Sequence, residues 1–224
     1  MSLPGMSLPG VSLPGMSLPG MSLQRRAPPL VLASASAARR ALLEAAGLRF
    51  DTRPAHVDEA ALKRTARADG LDAGAAALLL ADAKARQVAG DDPAALVIGC
   101  DQLLLCEGEW FDKPASLDEA RAHLRALRGR THTLVTAVLC RRGDQRLWGS
   151  VARPRLTMRG FSDAFLETYL RLESDLVTST VGAYRLEGPG VQLFAAVEGE
   201  HAAILGLPLL ALLGFLREYG LLEA

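Results

Sequence analysis

One stretch constrains the fold more than any other: Leu96 to Leu105, an apolar run broken only by Asp101-Gln102. Turn-forming residues flank it, Gly90 to Pro93 before and Glu107-Gly108 after. Such a run reads as a strand buried on both faces, which places it inside a sheet covered by helices. A carboxylate within a buried strand is costly unless it is paired or holds a metal ion. Gly99 allows something to approach the backbone closely. Asp101 is therefore either a functional group or a residue at a bulge or strand end that reaches water.

The rest of the chain supplies the covering layers. Leu30 to Ala33 reads as a short buried strand, Ser34-Ala35-Ser36 as a loop with capping hydroxyls, and Arg39 to Ala46 as a helix stopped by Gly47, with Leu42 and Leu43 inward. Arg49 to Arg53 reads as a second strand. Glu59 to Ala68 and Ala73 to Val88 are alanine-rich helices. A helix over Leu117 to Leu127 is capped by Ser116, and another begins at Ser162 and runs to Leu172. Thr131 to Arg141 and Gln145 to Leu156 form a hairpin around Arg142-Gly143-Asp144. Gly182 to Tyr184 and Val191 to Val197 read as strands, and Leu207 to Tyr219 as the last helix. Early alternation of strand and helix with a hairpin mid-chain predicts an α/β fold on a mixed sheet.

Composition excludes several classes. The 224 residues are 50% hydrophobic and 22% charged, which is globular. Lys and Arg number 25 against 25 Asp and Glu, and aromatics make up 5%. No broad basic field is available to hold a nucleic acid polymer by counterion release, although a local cluster can hold a small anion. No segment reaches the ~20 apolar residues of a membrane helix. Gly206 to Leu216 is interrupted by Pro208 and Gly214 and closed by Arg217-Glu218. Cys100, Cys106 and Cys140 form no CxxC pair, which fits a reducing, cytoplasmic setting. Residues 1–20 are four pentapeptides of the MSLPG type, with Pro and Gly in each. Residues 1–26 are expected to be a disordered leader, and 27–224 the folded unit.

Four groups of residues could carry chemistry. Ser34-Ala35-Ser36-Ala37-Ala38-Arg39-Arg40 joins a strand to a helix. It reads either as an anion cradle, with helix N–H groups, hydroxyls and guanidinium groups converging, or as a capped helix with two solvated arginines. Asp101 is the second. Asp58-Glu59 suits a hard divalent cation and equally suits a helix start. Lys84 and Lys113 are the fourth, each open to a solvated surface role. The histidines have no metal spacing, and His132 reads as structural.

These pieces, in order, resemble the Maf family of nucleoside triphosphate pyrophosphatases, the septum-formation-inhibitor proteins. The matching stretches are LASASAARRALLEAAGL, VDE, LADAKA, VIGCDQLLLCEGEWFDKP, LRGRTHTLVTAV, VGAYRLEGPG and ILGLPLL. The resemblance implies an elongated mixed β-sheet flanked by helices, with two lobes and a central cleft, similar to inosine triphosphate pyrophosphatase. It implies that Asp101 is catalytic, that Ser34, Arg39, Lys84 and Lys113 line a phosphate site with Arg40 at an often basic position, and that Glu59 and Asp101 hold Mg²⁺ or Mn²⁺. The substrate is then a nucleoside triphosphate, and a homodimer is expected.

Base preference rests on Ala38, Gln102 and Glu187. Gln102 and Glu187 look like the branch similar to 7-methyl-GTP pyrophosphatase, which usually carries Trp where this chain has Ala38. A carboxylate can accept two N–H donors from a guanine edge, so a purine-type base is expected. Two alternatives stay open. One is a pyrimidine pyrophosphatase of the same family acting on dTTP or UTP. The other is a non-catalytic nucleotide-binding regulator of septum formation.

Overall fold

The computed structural model describes residues 23–223. Its strands are β1 (Leu30–Leu32), β2 (Asp51–Thr52), β3 (Leu96–Cys106), β4 (Glu109–Phe111), β5 (Thr131–Arg142), β6 (Gln145–Ala152), β7 (Arg155–Met158) and β8 (Phe194–Glu198). They form one sheet of 8 strands in the order β2-β1-β3-β5-β7-β8, with β4 beside β3 and β6 beside β5. β1 runs parallel to β2 and β3, and the remaining pairs are antiparallel. The helices are α1 (Ala37–Ala45), α2 (Glu59–Ala68), α3 (Ala73–Asp91), α4 (Leu117–Leu127), α5 (Asp163–Glu173), α6 (His201–Ile204) and α7 (Leu209–Glu218). The expected α/β fold on a mixed sheet is what forms, and none of the described helices is long and apolar enough to cross a membrane.

β3 is the axis of the molecule. Its alternating side chains divide the interior, as period-2 geometry requires. Val97 and Leu103 pack with the alanines of α3 on one face. On the other, Leu96, Ile98 and Cys100 pack with Leu43 of α1 and Leu212 and Phe215 of α7. Farther along, Leu104 and Cys106 join Leu124 of α4 and Leu166 of α5 in a separate core. The two cores on that second face are the two lobes, and the cleft lies between them. A Cβ at Gly99 would collide with the Ala81 carbonyl of α3 and lie 2.8 Å from Ala85 Cβ. The close approach that Gly99 permits is thus that of α3.

One edge of β3 is interrupted. β1 covers it only as far as Ile98, opposite Leu32, and β4 resumes at Leu104. Between them the backbone from Gly99 to Leu103 has no strand on that side among the described residues, and a side chain reaches the Cys100 carbonyl.

Several expectations are corrected. The pentapeptides at 1–20 lie outside the described residues. The fold is already tied together before Ala27: Gln24 bridges to Leu222, and Arg25 N donates to Leu221 O at 2.8 Å. α3 continues through Gly90 to Asp91 where a turn was expected. The second arm of the hairpin breaks at Arg153-Pro154 into β6 and β7, because proline cannot donate to the ladder. Gly182 to Tyr184 is not a strand: Gly182 and Ala183 have φ of 77° and 60°, which turn the chain. Of the stretch expected from Val191 to Val197, only the part from Phe194 onward is a strand, and it runs on to Glu198. Leu42 and Leu43 do point inward as expected, Leu43 buried and Leu42 half-buried against the same core. Cys100, Cys106 and Cys140 are free, buried and in strands as expected.

Candidate active site

A cavity of about 360 Å³ opens at the gap in the sheet. Asp101 faces it from β3 and is 4% exposed. Its Oδ1 accepts from Lys84 Nζ at 2.6 Å, and the same ammonium meets Glu59 Oε1 at 2.7 Å. α3 brings Lys84, α2 brings Glu59 in its first turn, and β3 brings Asp101. Asp58, before Glu59, caps α2 by accepting from Ala61 N at 2.8 Å, so only the second carboxylate of that pair faces the cavity.

The charges are mutually adjusted. Burial alone pulls the Glu59 carboxyl upward, but the hydrogen bond and charge of Lys84, with Lys63 and Lys113, hold it below its usual value. Burial disfavours the Lys84 ammonium, and Asp101 and Glu59 outweigh it, so Lys84 stays charged to higher pH than a free lysine. Lys113 is lowered by burial, a trend that Arg39 and Lys84 reinforce and Glu59 opposes. An incoming anion would offset that lowering.

Arg39 is oriented from three sides. Its Nε donates to Gly206 O at 2.8 Å, and its Nη1 donates to Ser34 Oγ and Cys100 O, each at 3.2 Å. The Cys100 carbonyl is reachable because β1 has ended. Ser36 caps α1 and borders the cavity. Ser34 does not border it. Its hydroxyl accepts from Ser36 N–H and Arg39, so its place is behind the guanidinium. Arg40 does not border the cavity either. One residue along a helix rotates the side chain by about 100°, and Arg40 lies in solvent 3.8 Å from Glu44. The first site is thus a capped helix that contributes Arg39 and Ser36.

Gln102 and Glu187 border the same cavity, as does Ala38. The Gln102 amide donates to Thr136 Oγ1 at 2.8 Å and to the carbonyls of Ala203 and Ile204 at 3.1 Å. This fixes its amide nitrogen inward. Glu187 sits on the turn that follows Tyr184. That turn is held by Tyr184 Oη, 2.8 Å from His132 Nε2. Burial lowers His132 to about 4, so the imidazole is neutral and structural as expected.

Sequence reading missed Lys63, Asp112 and Arg185, all at the cavity wall. Lys63 pairs with Asp112 and lies one helical turn after Glu59. That spacing was the available signal. Nothing in the sequence marked Arg185.

The residues present suit a divalent cation. Asp101 Oδ2 is buried and has no hydrogen-bond partner among the described residues, and Glu59 lies on the other side of Lys84. Two carboxylates are few for an all-protein cage, and no group of three or more His, Cys, Asp or Glu gathers among the described residues. They fit an ion that draws its remaining ligands from water and substrate phosphates, as Mg²⁺ does.

The chain is also similar to known proteins. A family profile described as Maf-like protein matches residues 29–219. A nucleoside triphosphate pyrophosphatase of Granulibacter bethesdensis is 52% identical over 190 residues, covering 85% of this chain and 96% of that protein. One from Rhodospirillum rubrum is 52% identical over 195 residues, 87% and 96% of the two chains. A 7-methyl-GTP pyrophosphatase of Rhizobium meliloti is 45% identical over 197 residues, 88% and 99%.

Proposed function

The chain belongs to the Maf family of nucleoside triphosphate pyrophosphatases, and from that premise we propose that it cleaves a purine-type triphosphate such as 7-methyl-GTP to monophosphate and pyrophosphate. The observation that carries this reading is the convergence, on one cavity, of a buried carboxylate with an open oxygen and several cations. Asp101 Oδ2 would accept a proton from the water that attacks the α-phosphorus. Arg39, Lys84 and Lys113 would bind the phosphates and stabilise charge on the departing pyrophosphate. Lys63 adds a cation at the same wall. Glu59 and Asp101 would hold Mg²⁺ or Mn²⁺, and the ion would neutralise phosphate charge. Ser34 acts behind Arg39, and Arg40 takes no part.

The base preference rests on two acceptors. With its amide nitrogen fixed inward, Gln102 can offer Oε1 to a base, and Glu187 offers a carboxylate. Two acceptors suit the N1–H and N2–H₂ donors of guanine. Ala38 contributes no ring to stack on. Buried free cysteines support a cytoplasmic setting.

The test is pyrophosphate release with Mg²⁺ or Mn²⁺ across canonical and modified triphosphates. Turnover led by 7-methyl-GTP or another guanine nucleotide is the expected result. Turnover led by UTP or dTTP would refute the purine reading, and orthophosphate as the first product would refute the cleavage position. Binding without turnover would favour the regulator.

A further inference from the structure

Arg185 and Glu187 border the cavity from one turn, two residues apart. Glu173, at the end of α5, is 3% exposed, and its Oε2 accepts from Arg185 Nε at 2.9 Å. Glycines make room for this pair. A Cβ at Gly190 would lie 2.8 Å from Arg185 N, and one at Gly188 would lie 3.0 Å from Arg185 Nη2 and 3.2 Å from Glu173 Oε1. Tyr169, also on α5, donates to Ala183 O at 3.1 Å and fixes the start of the turn. The guanidinium is therefore held from behind through Nε. Its Nη groups meet no hydrogen-bond acceptor among the described residues.

Charge distinguishes this end of the cavity. Arg39, Lys63, Lys84 and Lys113 gather with Glu59, Asp101 and Asp112, four cations against three carboxylates. Arg185 stands instead between Glu173 and Glu187. One guanidinium against two carboxylates leaves this end negative, which repels a polyphosphate and suits an uncharged acceptor.

We propose that Arg185, positioned by Glu173, is a specificity residue that donates to the exocyclic carbonyl oxygen of the base, O6 of a guanine-type ring. This rests on reading the cavity as a nucleoside triphosphate site. A donor at Arg185 beside acceptors at Glu187 and Gln102 matches the guanine edge. Adenine presents an amino group where guanine presents O6, and would face the guanidinium donor to donor.

The experiment compares wild type with Arg185→Met on paired substrates that exchange carbonyl for amino: GTP against 2,6-diaminopurine riboside triphosphate, and UTP against CTP. Inorganic tripolyphosphate, as a competitive inhibitor, reports the phosphate end alone. Arg185→Met is expected to reduce the carbonyl-over-amino preference about ten-fold, the loss of one charge-assisted hydrogen bond. The change should fall on KM rather than kcat and leave tripolyphosphate inhibition unchanged. Glu173→Gln should give the same loss, and no further loss in the Arg185→Met background. Should Glu173→Gln fail to fold by circular dichroism, Arg185→Lys, which keeps the charge and loses the fork, should retain part of the preference. Equal weakening of tripolyphosphate would make Arg185 a phosphate ligand and overturn the proposal. A folded Arg185→Met with unchanged preference, or a wild type with no such preference, would overturn it too. A wild type led by UTP would refute the purine reading alone, and the UTP–CTP pair would still decide the role of Arg185.

Discussion

The two ends of the cavity are built from different material. The end proposed for the polyphosphate draws Asp101 from β3, Lys84 from α3, Glu59 from α2 and Arg39 from α1, all regular elements with buried faces. The proposed base end shares β3 and α1 through Gln102 and Ala38, but its Glu187 and Arg185 hang from the irregular segment between α5 and β8, on turns held by Tyr184, His132 and Glu173. Rigid elements fix charge geometry within the tolerance that phosphoryl chemistry needs. A turn held by a few side chains can be rebuilt without disturbing them. On the proposed reading, the share of base choice carried by Glu187 and Arg185 should be separable from the reaction, whereas the share carried by Gln102 should not.

Substitutions at the two ends should break different quantities. Asp101→Asn is expected to lower kcat by about 10²–10⁴-fold in a pyrophosphate-release assay while the protein stays folded. A folded variant with near-normal kcat would remove Asp101 from the reaction. Lys84→Met leaves the buried Asp101 without its cation and should cost roughly 3 kcal/mol in urea unfolding. Added Mn²⁺ should restore more stability to Lys84→Met than to wild type if Glu59 and Asp101 hold the ion.

At the base end, His132 supplies a pH test of similar size. Its pKa lies at about 4 in the fold against an ordinary 6.5. The unfolded chain therefore takes up a proton first as pH falls. Stability should be level above pH 6.5 and decline by roughly 3 kcal/mol down to pH 4, measured by urea unfolding at each pH. His132→Leu should flatten that decline. Glu187→Gln should shift the ratio of guanine to uracil nucleotide turnover by about ten-fold with little change in kcat. An equal drop in kcat for every nucleotide would show that the two ends are coupled. Arg40→Ala is the smallest, with stability within about 0.5 kcal/mol and KM unchanged.

The same division governs what could be read from sequence. β3 was legible because a long apolar run, interrupted only by Asp101 and its neighbouring amide, fits a buried strand and little else. Helix starts were legible because Ser36, Ser116 and Ser162 each accept from the N–H three residues on. Adjacency misled at Arg39-Arg40, since neighbouring helical residues point in different directions. Ser34 misled in another way, since a hydroxyl carries no sign of which way it turns. The turn at Gly182-Ala183 was unreadable: Ala183 adopts a left-handed backbone, which its side chain disfavours, because Thr180 and Tyr169 hold the segment there. Arg185 acquires its meaning only from Glu173, 12 residues away in sequence.

Gly99 gives the spacing of the proposed catalytic pair, Asp101 and Lys84, an origin outside those two residues. With no side chain there, α3 rests directly on the backbone of β3, and Lys84 meets Asp101 at a separation set by that contact. A single added methyl would act as a shim under the helix, lifting Lys84 from Asp101 with every charged group still present. The alanines of α3 have the same part on the other side of the joint. Enlarging any residue at this seam should detune the active site in proportion to its volume, and an enzyme spoiled in that way would pass every check on the identity of its catalytic residues.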